Sequence, residues 1–161
     1  MIRLALAAAA LALANLPSIA QPARNLTTPR NALDAFAVVV LDGDTIRVDG
    51  IAAAIRLVGL NAPETVRPAC EREAVVGARA TARLRDLVAA GGLALDRVPC
   101  ACPEGTEGTQ ACNFGRACGR LYSRGGDVAA VLIAEGLAVP FICAATRCPA
   151  TPRPWCEGVD R

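Results

Sequence analysis

The chain has no lysine and no histidine, and all 17 of its basic residues are arginine. The absence of histidine removes the commonest general base and the commonest zinc ligand. Acidic residues number 15, so the formal net charge is only +2, which disfavours a protein that coats nucleic acid through bulk charge. Any chemistry must therefore depend on carboxylates, individually placed arginines, a metal or a thiol.

The apolar run near the N terminus is too short to span a bilayer. Arg3 precedes the apolar residues 4–14, and a break containing the small residues Ser18 and Ala20 follows them. This layout is typical of a secretory signal peptide. An uncleaved membrane anchor, the alternative, needs about 20 apolar residues. We expect cleavage after Ala20 and a periplasmic or secreted protein without membrane attachment.

Cysteine is abundant after that cleavage site. An even number of cysteines in an exported protein predicts disulfides, here up to four. The alternative is a zinc site built from the four cysteines between residues 100 and 118, but their spacing lacks paired C-x-x-C motifs. A cysteine nucleophile is disfavoured because no histidine can activate it. The eight cysteines are Cys70, Cys100, Cys102, Cys112, Cys118, Cys143, Cys148 and Cys156.

The first half of the domain has the pattern of a β-meander. Residues 21–34 are polar and contain proline, which is typical of a linker. Apolar and alternating runs then predict three strands, joined by Asp-Gly turns at residues 42–43 and 49–50. The predicted strands are residues 35–41, 45–48 and 54–60.

The period then changes to that of a helix. Between residue 70 and about residue 90, apolar residues recur at helical spacing, and two glycines follow. Two further strands are predicted at residues 93–98 and 116–123, and Asp127 is a good N-cap for a second helix over residues 128–135. The apolar stripe of the first helix consists of Gly77, Ala80, Leu84, Leu87, Val88 and Gly91.

The order βββ-α-ββ-α predicts an α+β protein that is mainly β. It matches a five-stranded barrel of the oligonucleotide-binding (OB) class, with one helix between strands 3 and 4 and another after strand 5. The tail, residues 139–161, is rich in cysteine and proline and shows no periodicity. We expect this tail to be irregular and braced by disulfides.

Two polar segments could form a metal site at one rim of this barrel. Asp44 begins the second predicted strand and Asn61 follows the third, and these two strands pair in a meander. Oxygen ligands without nearby nitrogen or sulfur suit a hard cation such as calcium. Arg56 lies on the same sheet, and a metal beside a carboxylate and an arginine suits phosphodiester hydrolysis. A second arginine is needed, and chain order alone leaves Arg116 and Arg120 as alternatives.

Four sequence blocks resemble the staphylococcal nuclease (thermonuclease) family. Residues 40–46 (VLDGDTI) and 55–65 (IRLVGLNAPET) are similar to its two main motifs. Residues 114–116 (FGR) resemble its aromatic-Gly-Arg block, and residues 126–138 resemble the helix that follows. The similarity extends over residues 38–138, and we assign residues 35–138 to a thermonuclease-like domain.

The resemblance implies cleavage of DNA or RNA with calcium, leaving 3′-phosphate ends. Asp44, Asn61 and the backbone carbonyl of Ala62 would hold the calcium ion. Glu64 would activate the attacking water, while Arg56 and Arg116 would bind the phosphate and stabilise its transition state. A gapless count back from residues 136–138 selects Arg116 over Arg120.

The chain departs from the family pattern in four places. Asn61 replaces the usual Asp, which removes one negative charge and lowers the expected calcium affinity. Ala62 replaces a frequent Thr, and Phe114 replaces a tyrosine and so lacks a hydroxyl that could contact phosphate. The chain has only one Trp, one Tyr and three Phe, so base stacking is expected to be weak. The third helix of the family has no counterpart, and the cysteine-rich tail is expected to replace its packing.

Two other functional interpretations compete with a nuclease. A barrel of this class could bind nucleic acid without catalysis, although the presence of Glu64 argues against a pure polyanion-binding surface. A disulfide-braced structural protein of the cell envelope would explain only the cysteines. We expect a monomeric enzyme with nucleic acid as its partner.

Overall fold

The computed structural model describes residues 32–157 of the protein. The expected signal peptide and most of the expected linker lie outside the described residues. The protein is a mixed α+β structure, mainly β, with a nearly closed, barrel-like sheet and two helices. No helix within residues 32–157 is long and apolar enough to cross a membrane.

The main sheet contains seven strands in the spatial order β1-β6-β7-β4-β3-β2, and β8 pairs with β7. Neighbouring strands are antiparallel except β4 and β7, whose parallel pairing joins the N-terminal meander to the β6–β7 hairpin. The strands are β1 (Ala32–Leu33), β2 (Val38–Val40), β3 (Thr45–Val48), β4 (Ile55–Leu57), β6 (Leu93–Val98), β7 (Ala117–Ser123) and β8 (Gly126–Asp127). A second, two-stranded sheet pairs β5 (Gly59–Asn61) with β9 (Val139–Phe141).

Two helices pack against the sheet. α1 (Glu71–Ala89) and α2 (Val128–Ala134) confirm the two predicted helices to within one residue at each end. Asp127 caps α2 as expected, because its carboxylate accepts a hydrogen bond of 2.8 Å from the Ala129 amide. The apolar stripe of α1 is buried in the core, except for Gly91, which lies beyond the helix end.

The third predicted strand is broken in the structure. Gly59 has a φ of +90°, a conformation that residues with a Cβ rarely adopt, so the chain turns after β4. The remaining residues form β5, which leaves the main sheet and pairs with β9. Residues 35–37, expected at the start of the first strand, instead form a 3₁₀ turn capped by Asp34.

Two short strands lie in segments that were predicted to be irregular. β1 lies in the expected linker, so that linker assignment was wrong for residues 32 and 33, which pair with β6. β9 lies at the start of the tail. Both strands are held by pairing with distant segments, which local sequence patterns do not reveal.

All eight cysteines form disulfides, which confirms four bridges and leaves no thiolate for a zinc site. Two bridges lie in or beside the loop between β6 and β7, one lies within the tail, and one joins the tail to the residue before α1. Four disulfides are typical of proteins from oxidising compartments. The pairs are Cys70–Cys156, Cys100–Cys118, Cys102–Cys112 and Cys143–Cys148.

Candidate functional site

Strand pairing brings the predicted site residues to one place. In the β3–β4 register Thr45 faces Arg56, so that the preceding Asp44 lies beside the arginine side chain. One guanidinium nitrogen of Arg56 contacts the Asp44 carboxylate. The other donates a hydrogen bond of 2.8 Å to the side-chain oxygen of Asn61, at the end of β5. The β3–β4 pairing brings Asp44 to Arg56, and the Arg56 side chain reaches Asn61 on β5, outside the meander in which the sequence analysis placed it.

Arg56 is the buried cation of this group. Its side chain is 13% exposed and that of Asp44 is 9% exposed. Burial, and to a smaller extent repulsion by Arg116, lowers the pKa of Arg56 to about 10, although the charges of Asp42 and Glu64 act in the opposite direction. Arg56 remains protonated at neutral pH, so a fixed positive charge lies between oxygen atoms.

The oxygen groups around Arg56 are of the donor type that hard cations bind. The Asp44 carboxylate also accepts a hydrogen bond of 2.8 Å from the Ala62 amide, which places the backbone of residue 62 at the same point. No group of three or more Asp, Glu, His or Cys side chains that could hold a metal occurs within residues 32–157. Asp44, the Asn61 amide oxygen and a backbone carbonyl nevertheless fit calcium by donor type, and a guanidinium cation already contacts two of these oxygens.

Arg116 lies just before β7 and contacts β3 through Thr45. Its side chain donates hydrogen bonds of 3.0 Å to the backbone and side-chain oxygens of Asn113, and one of 3.4 Å to the Thr45 hydroxyl. Partial burial lowers its pKa, against the charges of Asp42 and Glu64. Arg120, the alternative, is an exposed residue of β7. The hydrogen bond to Thr45, the neighbour of Asp44, places Arg116 near the other site residues.

Glu64 completes the predicted set on the exposed side. It follows β5 in the loop before α1, and its side chain is exposed. Its negative charge opposes the lowering of the pKa of Arg56 and of Arg116 by burial. A solvent-accessible carboxylate therefore lies within electrostatic reach of two partly buried arginines.

Sequence reasoning missed two residues of this site. Asp42 was interpreted only as a turn residue. Its negative charge opposes the lowering of the pKa of Arg56 and of Arg116, and its carboxylate accepts a hydrogen bond of 3.0 Å from the Asp44 amide. Asn113 has a φ of +51°, which is uncommon outside glycine, and this conformation aims both of its oxygens at Arg116. The Asp-x-Asp turn could have indicated Asp42, whereas no local pattern indicated Asn113.

A cavity of about 580 Å³ adjoins Arg56. It opens between the main sheet and the second sheet, and its lining is mostly apolar. Two disulfides form part of its wall, so the cavity is stiffened by covalent bonds. Its lining includes Arg56, Leu57, Phe141, Arg120, the Cys100–Cys118 bridge and the Cys143–Cys148 bridge.

Comparison of the chain with models of known protein families, and with curated proteins, found no match.

The hydrogen bonds from Arg116 to Asn113 lead to a testable expectation. Replacing Asn113 with glycine keeps the positive φ accessible but removes the side-chain acceptor. If Arg116 acts on the substrate, its misplacement should lower the rate of the site's reaction by up to about 100-fold. Asn113→Asp retains an oxygen acceptor and serves as the control. Equal kcat values for Asn113→Gly and wild type would contradict this role.

Proposed function

We propose that the protein is a calcium-dependent phosphodiesterase that cleaves DNA or RNA to 3′-phosphate products. The observation that carries this proposal is that Arg56 contacts the side-chain oxygens of Asp44 and Asn61, with a second arginine held at Thr45, the neighbour of Asp44. The exposed carboxylate of Glu64 lies within electrostatic reach of both arginines. The sequence motifs around these residues resemble the staphylococcal nuclease family, and the barrel-like sheet is compatible with an OB-fold. This resemblance rests on the motifs alone.

The chemistry follows from the charges of these side chains. Arg56 and Arg116 bind two oxygens of the scissile phosphate and stabilise the negative charge that grows in the transition state. Glu64 accepts a proton from the attacking water, and its exposure leaves room for water and substrate beside it. The water oxygen bonds to phosphorus, the bond from phosphorus to the 5′ oxygen breaks, and that oxygen takes a proton from solvent, which leaves the phosphate on the 3′ oxygen. Asp44, Asn61 and the carbonyl of Ala62 would hold calcium, which when bound neutralises phosphate charge.

The cavity beside Arg56 gives the substrate a second contact. Its apolar walls suit a base or sugar attached to a phosphate that Arg56 holds. Phe141 is the aromatic residue in its lining, and stacking on one ring distinguishes poorly between bases. We therefore propose that the enzyme has weak base selectivity. We also propose that it is exported to an oxidising compartment and acts as a monomer.

One observation favours a second candidate, a nucleic-acid-binding module without catalysis. The Arg56 guanidinium contacts both Asp44 and Asn61, the two side chains proposed to hold calcium. In such a module this arginine would permanently take the place of a metal, and phosphate would bind to Arg116 and Arg56 without being cleaved.

Calcium dependence separates the two candidates. The oxidised protein from residue 21 onward should degrade single-stranded DNA in calcium and stop when a chelator is added, and end labelling should detect 3′-phosphates. A fluorescence anisotropy titration with the same DNA measures binding alone. Binding without cleavage over a wide calcium range would support the binding module and contradict the proposed enzyme.

A further inference from the structure

The tail touches the candidate site through Asn61. The side-chain nitrogen of Asn61 donates a hydrogen bond of 3.0 Å to the backbone oxygen of Pro152, while its oxygen accepts from Arg56. The amide therefore links the tail to the buried arginine. An aspartate at this position lacks the donor and would place its charge against a carbonyl oxygen. The tail thus provides a structural reason for the asparagine.

A second contact connects the tail to the loop that carries Glu64. Arg153 donates two hydrogen bonds, of 3.0 and 2.7 Å, to the carboxylate of Glu73 on α1. Glu73 is fully buried, and its carboxylate also accepts from the Ala69 amide at 2.6 Å and from the Glu64 amide at 3.5 Å. One buried carboxylate therefore holds both ends of residues 64–69 and depends on an arginine of the tail for its counter-charge.

The charge state of Glu73 is consistent with this arrangement. Burial by itself raises the pKa of Glu73, but the hydrogen bonds from Arg153 and from the Ala69 and Glu64 amides outweigh it and hold the pKa below its usual value. Glu73 is thus ionised at neutral pH. Without Arg153 the buried charge of Glu73 has no arginine partner. The carboxylate that holds the loop is then an unpaired buried charge, which is unfavourable.

Two further features fix the tail in place. The Cys70–Cys156 disulfide joins the tail to the residue that precedes α1, across 86 positions of sequence. Trp155, between Arg153 and this bridge, is buried. We name residues 152–156 the tail clamp. Its polar contacts are made by Pro152 and Arg153, and the residues that follow them anchor the segment through the Cys156 disulfide and the buried ring of Trp155.

Resting on the proposed function, we infer that the tail clamp is a positioning element of the site: Arg153 acts through Glu73 on the loop of Glu64, and Pro152 acts through Asn61 on Arg56. The clamp does not touch the substrate in this arrangement. It fixes the distance between the proposed base and the phosphate-binding arginine, because each is held to the same five-residue segment.

The test compares tail variants of the oxidised protein. Arg153→Met removes the counter-charge of Glu73, and Arg153→Lys restores a positive charge with fewer donors. Arg147→Met is the matched control, since Arg147 is an exposed arginine of the same tail. Because a buried unpaired carboxylate can prevent folding, the pair Glu73→Gln with Arg153→Met is made as well, which removes both charges.

Kinetics provide the first measurement. Arg153→Met should lower kcat for DNA cleavage by about 10- to 100-fold with little change in KM, because a misplaced base affects the chemical step more than binding. Arg153→Lys should recover part of the loss. In a Glu64→Gln background, Arg153→Met should cost little more, because no base remains to be positioned. Additive losses, or a loss confined to KM, would overturn the proposal.

Amide hydrogen exchange provides a measurement that does not depend on activity. The amides of Glu64 and Ala69 should exchange about tenfold faster or more in Arg153→Met and in the double variant, with α2 unchanged. Unchanged exchange at these amides would overturn the clamp even if wild type is an active nuclease. Faster exchange at these amides in the variants, together with no phosphodiester cleavage by wild type, would support the role of the tail clamp in holding the loop and would contradict the proposed function.

Discussion

Replacing Glu64 with glutamine should lower the rate of phosphodiester cleavage by about 10²- to 10⁴-fold, the range for a general base. Glutamine has nearly the same shape but cannot accept a proton from water. The side chain is exposed, so the free energy of unfolding should change by less than about 0.5 kcal/mol. Initial rates on single-stranded DNA in calcium, together with urea unfolding, measure both quantities.

The matched control for this variant is Glu104→Gln. Glu104 is also exposed, but it lies in the loop between β6 and β7 that carries the Cys102–Cys112 bridge. Loss of its charge should leave both rate and stability unchanged. If Glu64→Gln cleaves DNA as fast as the control, Glu64 is not the base and the proposed mechanism is wrong.

The elements defined by local patterns could be predicted from the sequence. Residues 45–48 and 93–98 alternate in polarity, and both are strands with the predicted bounds. The helical spacing of the apolar residues likewise predicted α1. Gly59 was not recognised as a break, because a glycine in an apolar run gives no sign of its φ angle. β1 and β9 depend on partners far away in sequence, so no local pattern could reveal them.

The site was predictable where neighbouring strands determine it. The strands β3 and β4 are consecutive and joined by the short connection 49–54, and their pairing brings Asp44 to Arg56. The contribution of the tail was not predictable, because Pro152 reaches Asn61 across 91 residues and a disulfide pairing that composition does not specify. Residues that position others through long-range contacts therefore required the structure.

Arg56→Met should strongly lower the free energy of unfolding. It leaves the Asp44 carboxylate, 9% exposed, without the guanidinium that contacts it. Removing one partner of a buried ion pair costs about 3–5 kcal/mol. Urea unfolding in the presence of a chelator measures this loss. Arg47→Met, which removes an exposed arginine of the neighbouring strand β3, should change the stability by less than about 0.5 kcal/mol.

Calcium should then restore more stability to Arg56→Met than it adds to wild type. In wild type the proposed calcium ion would compete with the guanidinium for the oxygens of Asp44 and Asn61, whereas in the variant those oxygens would contact no guanidinium. A ligand at 100 times its Kd adds about 2.7 kcal/mol to the stability of the state it binds. Equal calcium effects on the two proteins would show that the metal does not use the oxygens that Arg56 contacts.

Cleavage by the variant should fall by about 10²- to 10³-fold even in saturating calcium, because the metal replaces the charge beside Asp44 but not the donors aimed at the phosphate.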